Sequence, residues 1–160
     1  MRNNDHHDWA AAVALAFLEI ARKQHRAFAL LHFGTTVLRT DVWAATDPVD
    51  PMRMVEAVTF FDAAGGTAFE PPVDAARDIL RGNQGLRDAD LILITDGLAR
   101  VSDLWLRDYL TDKGHLRFRT YAVLLGNQSM GALTTIADEI VPLANALRDD
   151  NKIQHLFDVV

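Results

Sequence analysis

Two short polar segments are the places in this sequence where chemistry could occur. Asp96 directly follows the apolar run Asp90–Thr95, and Thr67 follows a pair of glycines in a loop. A carboxylate at the end of a buried strand needs a partner, such as a helix N-terminus, a backbone N–H or a metal ion. A threonine hydroxyl can ligate a hard cation, and paired glycines let the backbone approach a ligand closely. Each segment alone also fits an ordinary turn, helix cap or loop.

The sequence lacks the motifs of several other common catalytic and metal sites. The chain has no cysteine, which excludes disulfides, thiolate metal sites and cysteine nucleophiles. Its two serines, Ser102 and Ser129, stand outside any G-x-S-x-G motif, and no phosphate-binding G-x-x-x-x-G-K-[ST] or dinucleotide-binding G-x-G-x-x-G occurs. The histidines lack the i,i+4 spacing of zinc sites. We therefore predict that His6 and His7 lie in a solvated loop and that His32 is a hydrogen-bonded core histidine.

The composition is that of one ordinary globular domain. The 160 residues are 49% hydrophobic and 24% charged, with a net charge of −6, and a domain typically holds roughly 100–200 residues. No Lys/Arg-rich run occurs, so a nucleic-acid partner is not expected. The apolar run from Trp9 to Ile20 follows an acidic segment and is shorter than the ~20 residues that span a bilayer. We predict a single cytoplasmic domain, residues 1–160, without a membrane partner.

Apolar periodicity, capping residues, glycines and prolines predict an alternation of helices and strands. The predicted helices are Asp8 to about Gln24, Met52–Phe61, Val73–Leu80, Ser102 or Asp103 to Leu110, Ala132–Asp138 and Ile153–Val159; the predicted strands are Ala27–Phe33, Thr36–Ala44, Asp90–Thr95, Phe118–Leu125 and Ile140–Leu143. This order is typical of an α/β domain with a mostly parallel sheet, helices on both faces and one antiparallel edge strand. Ligands of such sheets bind at the carboxyl ends of the strands. Asp96, Thr67 and Asn127 are the polar groups expected there.

Five segments together carry a family resemblance. They are the first helix "WAAAVALAFLEIARKQHR", the strand "FALLHFG", the loop "GGTAFEPPVDAARDIL", the strand "DADLILITDG" and the strand "FRTYAVLLG". From Trp9 to about Leu147 the chain resembles a von Willebrand factor type A domain, more narrowly the bacterial intracellular branch with CoxE-like and ViaA-like proteins. The motifs G-G-T and I-T-D-G, about thirty residues apart, are moderately specific as a pair. The resemblance implies a three-layer, Rossmann-like α/β fold.

The resemblance also implies a function. Domains of this family carry a metal-ion-dependent adhesion site, in which Mg²⁺ grips an acidic residue of a partner protein. By position, Thr67 and Asp96 match two of its ligands, and Gly65, Gly66 and Gly97 would support the two loops. The expectation is a non-enzymatic protein-binding module, and relatives of the intracellular kind imply a MoxR-type AAA+ ATPase as partner.

One part of the family pattern is missing from this sequence. No D-x-S-x-S motif occurs, and the family's first strand, which carries it, has no counterpart. Met1 falls where the motif is often followed by a methionine, so we expect an N-terminally truncated chain that begins at an internal Met of a longer reading frame. The full-length form is expected to bind Mg²⁺, and this chain is expected to hold none tightly.

The missing strand has a structural consequence and leaves an alternative function open. In the family that strand is central, so its loss leaves Ala27–Phe33 and Asp90–Thr95 without their shared neighbour. Unpaired edges of this kind promote self-association. The alternative is a small α/β hydrolase or phosphotransferase with Asp96 as nucleophile or metal ligand, although the sequence offers no evident base or phosphate loop beside it.

Overall fold

Helices and strands alternate along the chain. The computed structural model describes residues 3–48, 50–62, 66–96, 98–126 and 130–143, with side chains from residue 6 to residue 142. The helices are α1 (Asn3–Lys23), α2 (Pro51–Val58), α3 (Glu70–Gly82), α4 (Asp103–Leu116) and the single turn α5 (Leu133–Ile136), and a 3₁₀ turn covers Gln84–Leu86. The strands are β1 (Phe28–Phe33), β2 (Val37–Trp43), β3 (Leu91–Thr95), β4 (Thr120–Leu125) and β5 (Glu139–Leu143).

The described strands form two sheets. β1 and β2 are antiparallel, with Phe28 opposite Trp43, whereas β3, β4 and β5 are parallel in the order β3-β4-β5. The predicted α/β class, with a mostly parallel sheet and an antiparallel strand, is confirmed. Within the described ranges β1 and β3 each pair with a strand on one side only.

Several helix ends follow from local sequence signals. The Asp50 carboxylate accepts a hydrogen bond from the Arg53 N–H, and Pro51 is the first residue of α2. The Ser102 hydroxyl accepts one from the Trp105 N–H at the start of α4. Such caps satisfy amides that have no partner within the helix. The start of α2 at Pro51 and the cap of α4 at Ser102 were predicted, whereas the cap at Asp50 was not.

Several element boundaries differ from the predictions. α2 ends at Val58 rather than at Phe61, and α4 continues to Leu116 rather than ending near Leu110. α1 begins at Asn3 rather than at Asp8, because its first turns find tertiary partners described below. The predicted helix Ala132–Asp138 is reduced to one turn, since the Asp138 N–H donates to the Thr120 carbonyl and leads into β5. The predicted helix Ile153–Val159 lies outside the described residues.

The parallel sheet is covered on both faces. Val123, Leu125 and Val141 pack on Val13 and Phe17 of α1. The opposite face packs on α3 and α4 through a cluster that includes Val73, Leu80, Leu93, Trp105, Tyr109, Ala122 and Leu124. This three-layer arrangement gives each strand of the sheet apolar neighbours on both sides. Among the described residues, no helix is both long enough and apolar enough to cross a membrane.

Burial separates the doubly paired strand from the singly paired ones. All six residues of β4 are buried. All six residues of β1 are only half-buried, and so are three of the five in β3 (Leu91, Ile92 and Ile94), although both strands are as apolar as β4. The difference follows from pairing, because β4 has a strand on each side and the other two do not.

We expect the 160-residue chain, expressed alone, to be poorly stable or to self-associate. Apolar strands with an unpaired edge present N–H and C=O groups that another chain can pair with. Light scattering after size exclusion and thermal unfolding followed by circular dichroism measure the two properties. A monodisperse monomer with a sharp, reversible transition above ~60 °C would contradict this expectation, since mesophile domains cluster at about 45–65 °C.

Candidate functional site at the carboxyl edge of the sheet

The candidate site lies where the parallel strands end. Asp96 directly follows β3, and half of its side chain (49%) is exposed. Gly126 directly follows β4 and has a positive φ of 78°. α1 begins beside Asp96 and ends just before β1, so β1 runs toward this edge as well. The carboxyl ends of strands from both sheets therefore lie at this same edge.

His6, in the first turns of α1, is the partner of Asp96. Its Nδ1 lies 3.2 Å from Oδ2 of Asp96, and about a third of the His6 side chain (32%) is exposed. A Cβ at position 126 would lie in van der Waals contact with Cε1 of His6, at 3.4 Å, so it is the positive φ of Gly126 that favours glycine beside the imidazole. The prediction of a solvated loop at His6 and His7 is wrong. His7 contacts the Phe60 carbonyl through Nε2 at 3.1 Å and packs edge-on against Phe61.

The Thr67 loop is attached to the end of β1. The Ala68 N–H donates to the Gly34 carbonyl at 2.9 Å. Gly66 has a φ of +95°, and a Cβ there would lie 2.7 Å from Cγ2 of Thr35. Both features require glycine at position 66. Thr67 itself is half-buried, while Gly65 and Gly97 lie outside the described residues.

Different elements position Thr67 and Asp96. The end of β1 holds the Thr67 loop, whereas β3 and α1 position Asp96. Among the described residues, no hydrogen bond joins the two side chains. One hydroxyl and one carboxylate are oxygen ligands of the kind that Mg²⁺ accepts. No group of three or more His, Asp or Glu suited to a metal occurs among the described residues.

The pair of His6 and Asp96 also has a geometry of chemical interest. Its imidazole and carboxylate lie within hydrogen-bond reach of each other at an exposed edge, which is the geometry required of a candidate acid–base pair. No local pattern in the sequence predicts this pairing, because the two residues lie ninety positions apart. The signal available was indirect. A helix antiparallel to the strands must begin at their carboxyl edge, so residues at its start face the groups that follow the strands.

The other polar residues named from the sequence either form structural hydrogen bonds or lie outside the described residues. His32 in β1 contacts the Ala57 carbonyl through Nε2 at 2.7 Å and lies edge-on to Phe60. The predicted hydrogen bond is confirmed, but His32 is half-buried rather than in the core. Burial lowers the pKa of His32 below its usual value, although the contact with Ala57 opposes this shift. Ser102 caps α4, and Ser129 and Asn127 lie outside the described residues.

Two proteins of the archaeon Methanocaldococcus jannaschii are similar to this chain. The uncharacterized protein MJ0811 is 28% identical over 138 residues, which are 86% of this chain and 31% of that protein. The uncharacterized protein MJ0077 is 25% identical over 135 residues, 84% of this chain and 32% of its own length. The chain thus spans about a third of the length of these relatives. No protein-family model matches the chain, and no solved structure matches it.

We expect Gly66→Ala to destabilise the chain by about 1–3 kcal/mol, because the new Cβ meets Thr35 and the backbone is left-handed. Gly82→Ala is the matched control. Nothing lies within 4 Å of a Cβ there, and Gly82 ends α3, so alanine should be neutral or stabilising by up to ~1 kcal/mol. Urea unfolding of the three proteins measures both effects. Equal stabilities of the two variants would show that the Thr67 loop is not held as described.

Proposed function

We propose that this chain is most of a non-enzymatic protein-binding module of the von Willebrand factor type A kind, working in the cytoplasm. The observation that carries the proposal is the exposed Asp96 at the carboxyl edge, with the Thr67 loop attached to the end of the neighbouring sheet. The pairing of G-G-T with I-T-D-G in the sequence supports it. The partner that the resemblance implies is a MoxR-type AAA+ ATPase.

In the full-length form, Thr67 and Asp96 would hold Mg²⁺ together with residues outside this chain. Mg²⁺ when bound supplies a Lewis-acid centre that an acidic side chain of the partner can complete. Asp96 is suited to this role because one carboxylate oxygen, Oδ2, is engaged by His6 and the side chain remains half exposed. The relatives are about three times longer than the matched region, which leaves room for further ligands.

We expect the 160-residue chain to bind Mg²⁺ no more tightly than millimolar. Two direct protein ligands are too few to offset the reluctance of Mg²⁺ to lose water. Extending the chain upstream with a strand that ends in D-x-S-x-S should create a site, and Asp96→Ala in the extended protein should abolish it. Isothermal titration calorimetry measures both.

Asp90→Ala in the same extended protein is the matched control, because Asp90 lies at the opposite end of β3, where it accepts a hydrogen bond from the Arg119 N–H. It should leave Mg²⁺ affinity unchanged. Tight Mg²⁺ binding by the unextended chain, or binding by the extended chain that survives Asp96→Ala, would contradict the proposed site.

The pair of His6 and Asp96 favours one other function, a small α/β hydrolase or phosphotransferase. Asp96 would act as nucleophile or metal ligand, and His6 supplies the base that the sequence did not reveal. Under the binding-module proposal, purified protein should show no phosphatase or esterase activity above background. Activity that disappears in both Asp96→Asn and His6→Gln, but persists in His25→Asn on the exposed turn after α1, would favour the enzyme instead.

A further inference from the structure

The outer side of β2 is a strand edge that faces away from the rest of the molecule. β2 pairs with β1 along one side, and the described residues place no strand along the other. β1 and β3, by contrast, line an apolar cavity of about 220 Å³ between the two sheets, which α1 and α3 border, and no residue of β2 lines it. An outward strand edge presents N–H and C=O groups with which an added strand can pair.

The backbone groups at the outer edge of β2 belong to alternate residues. Arg53 of α2 donates through Nη2 to the Val42 carbonyl at 3.0 Å, which shows that this carbonyl points away from β1. The direction of hydrogen bonding alternates along an antiparallel strand, so the N–H and C=O groups of Leu38 and Thr40 point to the same outer edge. Thr40, in the middle, is the one exposed residue of β2. The contact of Arg53 leaves room for a further donor, because a carbonyl oxygen has two lone pairs.

The side chains of β2 form a pattern that is symmetric about Thr40. Its immediate neighbours, Arg39 and Asp41, have opposite charges, and the next residues out, Leu38 and Val42, are both apolar. When two β2 strands lie antiparallel with Thr40 opposite Thr40, Arg39 lies opposite the partner's Asp41, and Leu38 lies opposite the partner's Val42. Directly opposite residues have Cβ atoms roughly 4.5–5.5 Å apart, so opposite charges attract and apolar side chains pack there.

Arg39 and Asp41 are already ordered within one chain. The Arg39 guanidinium donates to both oxygens of Asp41, from Nε to Oδ2 at 2.6 Å and from Nη2 to Oδ1 at 3.2 Å. Nη1 of Arg39 lies 3.6 Å from Oε1 of Glu56, and the guanidinium lies over the ring of Phe60. These contacts hold both charged side chains on the face of the sheet that α2 covers. A second copy would therefore add an identical pair on the same face, giving four charges of alternating sign.

We propose that the outer edge of β2 is a homodimer interface, in which two copies of this chain pair their β2 strands antiparallel about Thr40. The two antiparallel sheets then join into one sheet in the order β1-β2-β2-β1. A second copy fits this edge better than an unrelated strand, because the pattern about Thr40 complements itself in both charge and polarity. β5 lacks this property, since Pro142 within it has no N–H to donate.

The proposed dimer leaves the candidate site accessible. Its two-fold axis is perpendicular to the joined sheet, so the carboxyl edges of the two copies face opposite directions. Asp96, which follows β3, lies outside the interface in both copies. The inference therefore goes beyond the proposed function, and neither depends on the other.

An introduced cysteine tests the register of this pairing, because the chain has no cysteine of its own. In the proposed dimer the two Thr40 Cα atoms are about 5.5 Å apart, within the roughly 4.4–6.8 Å that a disulfide spans. Mild oxidation of Thr40→Cys should therefore give a disulfide-linked dimer on a non-reducing gel. Thr36→Cys, at a residue that is also exposed, is the matched control, because the two copies of residue 36 would be about 25 Å apart. Equal cross-linking of both variants, or none at position 40, would overturn the proposal.

Proline at the same position tests the hydrogen bonds. Thr40→Pro removes an N–H at the outer edge and keeps the donors to β1, so by symmetry the dimer loses two hydrogen bonds. Its dissociation constant, measured by size exclusion with light scattering over a range of concentrations, should rise at least about tenfold. Thr40→Val keeps the N–H and should leave the constant unchanged. A folded Thr40→Pro that dimerises as well as the parent chain would show that the copies associate through another surface.

Charge reversal tests the pairing of side chains between the copies. Arg39→Glu and Asp41→Lys each place like charges opposite each other, so each variant alone should dimerise at least about tenfold more weakly. An equimolar mixture brings an acidic strand opposite a basic one and should restore the dimer, although both variants have lost the ion pair within the chain. Arg107→Glu makes the same change of charge on the exposed surface of α4 and should leave dimerisation unchanged. A mixture of the two folded variants that stays monomeric would contradict the proposed register.

Discussion

The demand of each buried strand for hydrogen-bonded neighbours is the constraint on which the rest of this structure depends. A backbone N–H or C=O that is removed from water must find a partner in protein. β4 meets this demand on both sides and is buried along its whole length. β1 and β3 meet it on one side, and their apolar side chains remain half exposed. The separation into two sheets and the cavity between them are both consequences of this difference.

The position of α1 determines which polar groups meet at the carboxyl edge of the parallel sheet. Because this helix packs across the parallel sheet and begins where β3 ends, His6 meets Asp96 beside Gly126. The Thr67 loop reaches the same edge through the end of β1. The polar groups at the edge are thus carried by different elements, and their geometry depends on how well those elements are packed together.

The sequence by itself determined which segments form helices and strands, and the tertiary structure decided which distant residues come into contact. Apolar runs such as Leu91–Thr95 and capping pairs such as Asp50 with Pro51 act over a few residues, so the strands, most helix ends and the α/β class were predictable. The loop at Gly66 and the hydrogen bond of His32 were also predicted from local patterns. The contact of His6 with Asp96 was not, because it joins residues ninety positions apart and depends on where α1 starts. The sequence raised the expectation of two strands without a shared neighbour. The apolar cavity lined by both strands and by α1 and α3 forms only when the helices are packed against the sheets, because its walls come from segments far apart in the sequence.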